Sequence, residues 1–521
     1  MGSEPLTLAT IFERLRTVHG DNVVIDAFPG GTTRTRYADL ADRVLRLVTV
    51  LQDLGVQPGD RVASFANNSS RHLELYYAVP LAGAVLHMVN IRLHDEQLEF
   101  VVADAADTVL FVDDDLIGRV GALALPSVRA FVRLGKGETP GIAGILDAEA
   151  LIAAAAPATD LPELAEDQAC GMCHTSGTTG MPKAVVYTHR SMYLHALSSC
   201  TVDSLALSEA ERVLPVVPLF HACGWGLPYS APFTGAELVF VGADTSPAHL
   251  HRVINEEQVT WAAGVPTIWN ALLPFAQDLP SLQAIGIGGS ATPRALMEAY
   301  DGHGIEIVQI WGMTETGPIA CTSRPRRRHA GLDADARREV RLRTGTILPG
   351  LEARIVDAAG ELLPWDGESV GELQCRGPWV ATDYWGGAPE KFHDGWLRTG
   401  DMAVMEADGY FRIVDRSKDL VKSGGEWISS VELEGACLAH PAVREAAVVG
   451  VRSQKWDERP VVVASVSEPL SLEALREFLA DRVAKWWLPD ALIVVDEVAK
   501  TSVGKYDKKA IRAQLADLSL P

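Results

Sequence analysis

The sequence lacks an excess of basic residues, has few cysteines and contains no long unbroken apolar run. Lys and Arg number 46 against 68 Asp and Glu, and the resulting formal net charge of −22 over 521 residues argues against a nucleic-acid partner. The most apolar region, residues 75–91, is interrupted by Pro80, His87 and Asn90. Because a membrane span needs about 20 unbroken apolar residues, we expect buried core there and no integral membrane span.

The seven cysteines and the N-terminus indicate the compartment. An odd number of cysteines scattered along a long chain predicts reduced thiols and no disulfide framework. An acid at Glu4 and the absence of a long apolar stretch before Glu13 are not typical of a secretory signal. We therefore expect a cytoplasmic enzyme.

Apolar periodicity predicts an α/β fold. Leu8, Ile11, Phe12 and Leu15 share a helical face, and Thr7 is the predicted N-cap. Short strand patterns at 237–243, 284–287, 305–310, 446–451 and 461–466 are separated by helical patterns such as 471–483. This alternation predicts α/β architecture, and the polar stretch 415–419 predicts a domain boundary before a last segment of about 100 residues.

A segment rich in hydroxyl groups and glycine, HTSGTTGMPK at 174–183, lies between two strand patterns. Its glycines permit close backbone approach, its hydroxyls and N–H groups can donate to phosphate oxygens, and Lys183 supplies a positive charge. Because Ala184 stands where the Walker pattern has Ser or Thr, a Mg²⁺ ligand must come from elsewhere. The segment alone also fits a plain flexible turn.

Five further segments follow this loop along the chain: WGMTET at 311–316, WLRTGD at 396–401, DRSK at 415–418, KSGGE at 422–426 and KTSVGK at 500–505. Together they resemble the adenylate-forming superfamily of acyl-CoA synthetases, nonribosomal-peptide adenylation domains and luciferases. PLFH at 218–221, GVPT at 264–267 and SGGEWISS at 423–430 are most similar to medium- and long-chain fatty-acyl-CoA synthetases. The resemblance implies a large N-terminal α/β domain (residues 1–414), a hinge (415–418) and a small mobile C-terminal α/β domain (419–521).

The resemblance also implies ATP, Mg²⁺ and coenzyme A as cofactors and a small carboxylic acid as substrate, activated to acyl-AMP and transferred to CoA. Attack of a carboxylate on the α-phosphorus joins two anions, so the site needs cations. Glu315 is the expected metal ligand, with Thr175 a weaker second. Residues expected at the nucleotide and CoA are Thr175, Ser176, Gly177, Thr178, Thr179, Gly180, Gly288, Gly289, Ser290, Ala291, Trp311, Gly312, Met313, Thr314, Asp401, Arg416, Lys422, Gly424 and Gly425.

Three residues are expected to be catalytic: Lys505, which would stabilise the pentacoordinate α-phosphate, Lys183 and His221. Lys418 is the expected hinge residue. The residues expected to bind the acid are His221, Trp225, Val265, Pro266 and Trp427. Each has a plainer interpretation: a core histidine, apolar core filling, a packing contact between domains or, for Lys505, a solvated basic patch. A homodimer is implied by the resemblance only.

Several positions depart from the superfamily pattern and keep other functions open. His174 stands where an aromatic or apolar residue is common, Ala184 where Gly is usual and Trp311 where Tyr is usual. An adenylate-forming enzyme with another acceptor, such as a diazotase-like enzyme that activates nitrite for an aromatic amine, is therefore an alternative. Less favoured is an NAD-dependent oxidoreductase built on the G-x-G-x-x-A pattern at 286–291.

Two other signals have ordinary explanations. Cys170, Cys173 and His174 match the C-x-x-C-H pattern of c-type haem attachment, but the segment also fits a strand that leads into the phosphate loop. The basic run 324–329 is either a solvated loop or a contact for CoA phosphates.

Overall fold

The structure is a computed structural model that describes residues 4–135, 137, 142–175, 181–423, 426–453, 455–501, 505–516, 518 and 520. In these residues the α-helices are α1 Leu8–Thr17, α2 Tyr37–Asp53, α3 Ser70–Leu81, α4 Asp95–Ala105, α5 Ile117–Val120, α6 Ala148–Ala154, α7 His189–Ser199, α8 Leu227–Thr234, α9 Pro247–Glu256, α10 Pro266–Leu272, α11 Arg294–Gly302, α12 Ala334–Leu342, α13 Ser430–Leu438, α14 Leu472–Leu479 and α15 Lys508–Gln514.

The strands of the same residues, in chain order, are β1 Val23–Phe28, β2 Gly31–Arg36, β3 Arg61–Phe65, β4 Val85–Met88, β5 Val109–Val112, β6 Ala130–Arg133, β7 Leu146–Asp147, β8 Ala169–His174, β9 Ala184–Thr188, β10 Arg212–Pro215, β11 Glu237–Phe240, β12 Trp261–Gly264, β13 Ala284–Ile287, β14 Glu306–Gly312, β15 Ile319–Ser323, β16 Gly345–Ile347, β17 Glu352–Val356, β18 Gly371–Arg376, β19 Phe392–His393, β20 Trp396–Met405, β21 Tyr410–Arg416, β22 Val421–Ser423, β23 Glu426–Ile428, β24 Val443–Ser453, β25 Asp457–Val466 and β26 Ala491–Val494.

The described strands form three sheets. The largest has the order β17-β18-β20-β21-β16-β15-β14-β13-β12-β10-β11-β1-β2, with β19 on β20. The second has the order β7-β6-β5-β3-β4-β8-β9, and the third the order β23-β22-β25-β24, with β26 on β25. Strands β10, β12, β13 and β14 run parallel, so their carboxyl ends meet at one edge of the largest sheet.

Apolar faces of helices cover these sheets, as the periodicity predicts. The shared face of α1, which includes Leu8, Ile11 and Leu15, is fully buried. Thr7 is the N-cap residue of α1, as predicted, but its side chain makes no capping hydrogen bond. Residues 75–88, in α3 and β4 and the turn between them, are buried core as expected.

The third sheet is built by the last part of the chain, and a buried polar cluster joins it to the end of β21. Asp415 Oδ2 accepts hydrogen bonds from Ser430 N at 2.6 Å and Ser430 Oγ at 2.5 Å. Lys508 Nζ donates to Ser430 Oγ at 2.5 Å and pairs with Glu434 at 2.7 Å. The cluster therefore fixes the segment around Lys508 against the strand that ends the largest sheet.

A second buried ionic cluster joins α2, α3 and α6, and it yields a stability prediction. Arg43 bonds Glu74 at 2.6 Å and Glu149 at 2.8 Å, while burial raises the pKa of Glu74 to about 7. Removing one partner of a buried pair costs about 3 kcal/mol. We expect Arg43→Met to lower the free energy of opening of α2 and α3 by that amount at pH 7.5, as measured by hydrogen exchange of their amides.

The penalty should shrink at pH 5.5. Native Glu74 keeps a proton up to a higher pH than the unfolded chain does, so its contribution to stability falls as the pH rises. Loss of Arg43 raises the native pKa of Glu74 further, so more of the free energy of unfolding is lost between pH 5.5 and pH 7.5. The matched control is Arg16→Met, which breaks the exposed pair with Glu13 and should cost less than about 1 kcal/mol. Equal costs for the two variants would contradict the prediction.

Candidate active site

A cavity of about 800 Å³ opens at the carboxyl ends of the parallel strands. The largest sheet contributes the residues that follow β10, β12, β13 and β14, and the second sheet contributes Thr175, directly after β8. Lys505, from the C-terminal part of the chain, also lines the cavity. Predicted site residues on its wall are Thr175, Lys183, His221, Trp225, Val265, Gly288, Gly289, Gly312, Met313, Thr314, Glu315, Arg416, Lys418 and Lys505.

Seven predicted residues lie outside the described part of the chain: Ser176, Gly177, Thr178, Thr179, Gly180, Gly424 and Gly425. Others are described but are absent from the described cavity wall: Ser290, Ala291, Trp311, Asp401, Lys422, Pro266 and Trp427. Pro266 is buried in the first turn of α10. The Trp427 side chain is 48% exposed, with Lys422 Nζ 5.0 Å from its ring centroid.

Trp311 and Asp401 support the wall from behind. Trp311 Nε1 donates to Asp401 Oδ2 at 3.0 Å, and Arg416 Nε lies 3.3 Å from Asp401 Oδ1. Asp401 and Arg416 are directly opposite each other on β20 and β21. Trp311 and Arg416 thus hold the Asp401 carboxylate in place. Arg416 itself lines the cavity and so connects this cluster to the cavity wall.

The two glycines after β13 let the backbone form a close wall. A Cβ on Gly288 would lie 3.0 Å from both the Ile310 carbonyl oxygen and the Trp225 ring. Gly289 has a φ of +86°, a conformation that other residues rarely adopt, and a Cβ there would lie 3.2 Å from Lys505 Cε. These positions explain Gly288 and Gly289 as cavity wall, and they leave no need for a dinucleotide fingerprint.

Glu315 is the best-placed described carboxylate for a metal ion. It lies in the turn after β14, and Tyr384 Oη donates to its Oε1. The Thr175 hydroxyl accepts a hydrogen bond from Lys183 N at 3.3 Å, which leaves the oxygen a second lone pair for a metal ion. Among the described residues no group of three or more His, Cys, Asp or Glu could hold a metal. This set fits Mg²⁺, which typically binds one or two carboxylates together with substrate phosphates.

The cations of the cavity have different surroundings. Burial, followed by the Arg416 charge, lowers the pKa of Lys505 to about 8, whereas Asp401 and Glu315 oppose the shift. Lys183 Nζ pairs with Glu390 at 3.1 Å and lies 5.3 Å from the Tyr384 ring centroid. Lys505 is therefore the cation whose charge is most sensitive to pH near neutrality.

His221 and Trp225 are presented by an unusual turn. Ala222, Cys223, Gly224, Trp225 and Gly226 all have positive φ, so the chain makes one left-handed turn before α8. Such conformations cost of order 1 kcal/mol for each non-glycine residue. Burial, followed by the charges of Lys505 and Arg92, lowers the pKa of His221 to about 3. His221 is consequently a neutral imidazole that can exchange hydrogen bonds with bound groups.

Sequence reasoning missed part of the wall. Arg92, Phe100, Asp104, Tyr384 and Trp385 line the cavity but lie in segments that contain none of the recognised motifs. Arg92 stacks over the Phe220 ring at 5.7 Å. For Arg92, Phe100 and Asp104 the only sequence signal was their place after a buried strand. That strand ends at the sheet edge where the phosphate loop also begins.

The remaining sequence signals have structural explanations. Cys170 and Cys173 are buried in β8, which excludes their use for covalent haem attachment. In the basic run, Arg324 donates to the Ser204 carbonyl at 2.6 Å, and Arg326 and Arg328 donate to the Asp408 carbonyl. These arginines therefore tie loops together, and they are absent from the described cavity wall. No helix among the described residues is sufficiently long and apolar to cross a membrane.

Comparisons with known proteins agree with this site. The AMP-binding enzyme family matches residues 12–385, and the AMP-binding enzyme C-terminal domain matches residues 432–505. The long-chain-fatty-acid–CoA ligase of Thermus thermophilus is 41% identical, over 99% of this chain and 96% of the ligase. The medium-chain-fatty-acid–CoA ligase of Ectopseudomonas oleovorans is 39% identical, over 99% of this chain and 97% of the ligase.

A solved structure, the anthranilate CoA ligase AuaEII in complex with anthranoyl-AMP, has a TM-score of 0.88 at 25% identity and covers 99% of both chains. The predicted α/β architecture, with a large N-terminal and a smaller C-terminal domain, is thereby confirmed. The predicted class, an AMP-forming acid–CoA ligase that uses ATP, Mg²⁺ and CoA on a carboxylic acid, is also confirmed, and the other acceptors and the nicotinamide enzyme are not favoured. The chain belongs to the AMP-binding enzyme family, that is, to the adenylate-forming enzymes.

Proposed function

We propose that this cavity activates an apolar or aromatic monocarboxylic acid with MgATP and transfers the acyl group to CoA. The observation that carries the proposal is the meeting of Lys505, from the C-terminal part, with Thr175, Glu315 and Arg416 at one cavity. In the first step the carboxylate oxygen bonds to the α-phosphorus and pyrophosphate leaves. In the second step the CoA sulfur bonds to the acyl carbon, AMP leaves and the thiol proton is released.

Each cavity residue has a separate role in this proposal. Lys505 neutralises the charge that develops on the α-phosphate oxygens, and Lys183 binds the leaving pyrophosphate. Glu315, with the Thr175 hydroxyl, holds the Mg²⁺ that would neutralise the phosphates when bound. Arg416 donates to ribose or phosphate oxygens, and Asp401, which lies behind the wall next to Arg416, would accept from the ribose hydroxyls.

The proposed class of acid is supported by the apolar part of the wall. Trp225, Val265, Ile268 and Ile310 provide apolar surface next to Gly288, which suits an acyl chain or a ring. Relatives named for long-chain and medium-chain fatty acids and for anthranilate fit the same class. His221 would contact the acid near its carboxylate, whereas Pro266 and Trp427 would act only at a distance from the cavity described.

The domain limits are also a proposal: 1–414, a hinge at 415–418 centred on Lys418, and 419–521. It is supported by the change of sheet between β21 and β22. Lys422, Gly424 and Gly425 would then approach CoA when the C-terminal domain rotates. We further propose a cytoplasmic location, supported by seven free cysteines, and a homodimer, supported by the resemblance alone.

The direct test is pyrophosphate release with MgATP over a panel of aliphatic acids, aryl acids and nitrite, each with and without CoA. We expect release with an apolar organic acid and formation of its CoA thioester, identified by mass spectrometry. Release only with nitrite, or release with an acid but no thioester, would overturn the proposed acceptor.

Loss of the Lys505 charge should affect the first step selectively. We expect Lys505→Ala to slow acid-dependent pyrophosphate release by about 10²–10³-fold, because a preorganised charge at the transition state is lost. Thioester formation from added acyl-AMP should change less than tenfold. The matched control is Lys509→Ala, an exposed lysine four residues further on. Equal loss of both steps would contradict the assigned role.

The pH dependence should identify the same lysine. Because the pKa of Lys505 is about 8, its ammonium is lost above that pH, and kcat/KM for MgATP should fall on the basic side. In Lys505→Arg the guanidinium stays charged, so the basic limb should disappear even where the maximal rate is lower. An unchanged basic limb in that variant would assign the titration to another group.

A further inference from the structure

A line of four titratable side chains runs from the core of the second sheet to the cavity wall. Asp107 Oδ2 lies 2.7 Å from His87 Nδ1, and His87 Nε2 lies 2.9 Å from His174 Nδ1. His174 Nε2 lies 3.2 Å from Asp104 Oδ2, and Asp104 lines the cavity. His87 and Asp107 are both 0% exposed. The line therefore has one buried end and one end at the site.

Hydrogen-bond chemistry fixes how many protons this line holds. Each of its three contacts joins two groups that can accept, so each needs one proton between the two atoms. Two carboxylates and two imidazoles with three bridging protons carry a net charge of −1, whichever partner holds each proton. Removing any bridging proton would break a contact in a buried environment, which is costly.

The surroundings agree with this count. Burial raises the pKa of both Asp104 and Asp107, and the His87 charge opposes the effect of burial in both. The Arg61 charge faces Asp107 and partly opposes the effect of burial. His174 therefore lies at the middle of the line, with Nδ1 next to His87 and Nε2 next to Asp104.

Asp104 also connects the two stems of the phosphate loop. His174 ends β8, one stem, and pairs with Ala184, which begins β9, the other stem. On the second side, Trp385 N donates to the Ala184 carbonyl at 2.9 Å, and Trp385 Nε1 donates to the Asp104 carbonyl at 3.2 Å. The end of α4 thus contacts one stem through its carboxylate and the other through a tryptophan.

A further contact closes the base of the loop. Thr175 N donates to the Lys183 carbonyl at 2.8 Å, directly above the two stems. Any shift of His174 or Ala184 is passed to Thr175 and Lys183, the described loop residues that line the cavity. Asp104 and Trp385, which lie outside every recognised motif, consequently act with His174 on the spacing of the two stems.

We propose that His174, Asp104 and Trp385 are positioning residues that hold the two stems of the phosphate loop in the geometry that binds MgATP. The proposal rests on the proposed function only in taking residues 175–183 as the ATP-phosphate loop. It concerns nucleotide binding, and it assigns the three residues no contact with the acid.

The first test is His174→Phe, which keeps a ring but removes both imidazole contacts. We expect the dissociation constant of MgATP, measured by calorimetry without acid, and the KM for MgATP to rise about tenfold, while the KM for the acid stays within twofold. Trp385→Phe, which removes only the indole N–H, should shift the same two quantities in the same direction. Asp104→Asn, whose amide can still bond His174, should stay within threefold of the wild type.

The matched control is His189→Phe, another buried histidine, whose Nδ1 accepts from Leu8 N at 3.3 Å and which is absent from the cavity wall. It should leave both MgATP constants unchanged even if it lowers the melting temperature. A general loss of stability therefore cannot imitate the expected result.

Proton NMR of the histidine-labelled enzyme gives a second readout. The wild type should show strongly downfield, slowly exchanging imidazole protons from the two histidines, and His174→Phe should retain only the one between His87 and Asp107. Unchanged MgATP constants in both His174→Phe and Trp385→Phe, with a wild type that releases pyrophosphate, would overturn the proposal and leave the proposed function standing. If these variants bind MgATP more weakly but the wild type forms no thioester, the proposal on the loop stems stands and the proposed function is overturned.

Discussion

The repulsion between a carboxylate and a polyphosphate is the constraint on which the rest of this site depends. The chain adds a second repulsion, because its formal net charge of −22 disfavours the approach of either anion. The cavity concentrates cations, and two of them have an acidic partner nearby: Lys183 has Glu390, and Arg416 has Asp401. Such pairs hold each cation in position before a ligand arrives and limit the repulsion among the cations.

Lys505 differs from these two cations because burial disfavours its charge, whereas the charges of Asp401 and Glu315 favour it. Its position depends on the C-terminal part of the chain, and Lys508, three residues further on, is fixed to Ser430 and Glu434. Asp415, at the end of β21, bonds the same serine. The buried polar cluster thereby links the proposed hinge segment to the lysine proposed as catalytic, so that a rotation about Lys418 would have to break hydrogen bonds of Asp415.

Much of the fold and part of the site could be predicted from the sequence because local patterns carry them. The strand at 284–287 is observed with the predicted bounds, and the glycines after it line the cavity as expected. Thr7 has a suitable side chain and stands at the N-cap position, but Thr10 N donates to the Thr7 carbonyl and not to the Thr7 hydroxyl. Tyr384 and Asp104 could not be found, because their partners Glu315 and His174 are 69 and 70 residues away in sequence.

The left-handed turn at 222–226, next to the proposed acid-binding wall, could likewise not be predicted from the sequence. A sequence with Ala222, Cys223 and Trp225 gives no local reason for three positive φ values, which non-glycine residues avoid. The turn is over-determined by its surroundings: a Cβ on Gly226 would lie 2.4 Å from the His195 ring, and the Trp225 ring packs against Gly288. The shape of this part of the cavity, where the acid is proposed to bind, therefore results from packing between α7, the turn and the strand end after β13. For this reason the motifs identify the chemistry of the enzyme, whereas the pocket that selects its acid has to be read from the three-dimensional arrangement.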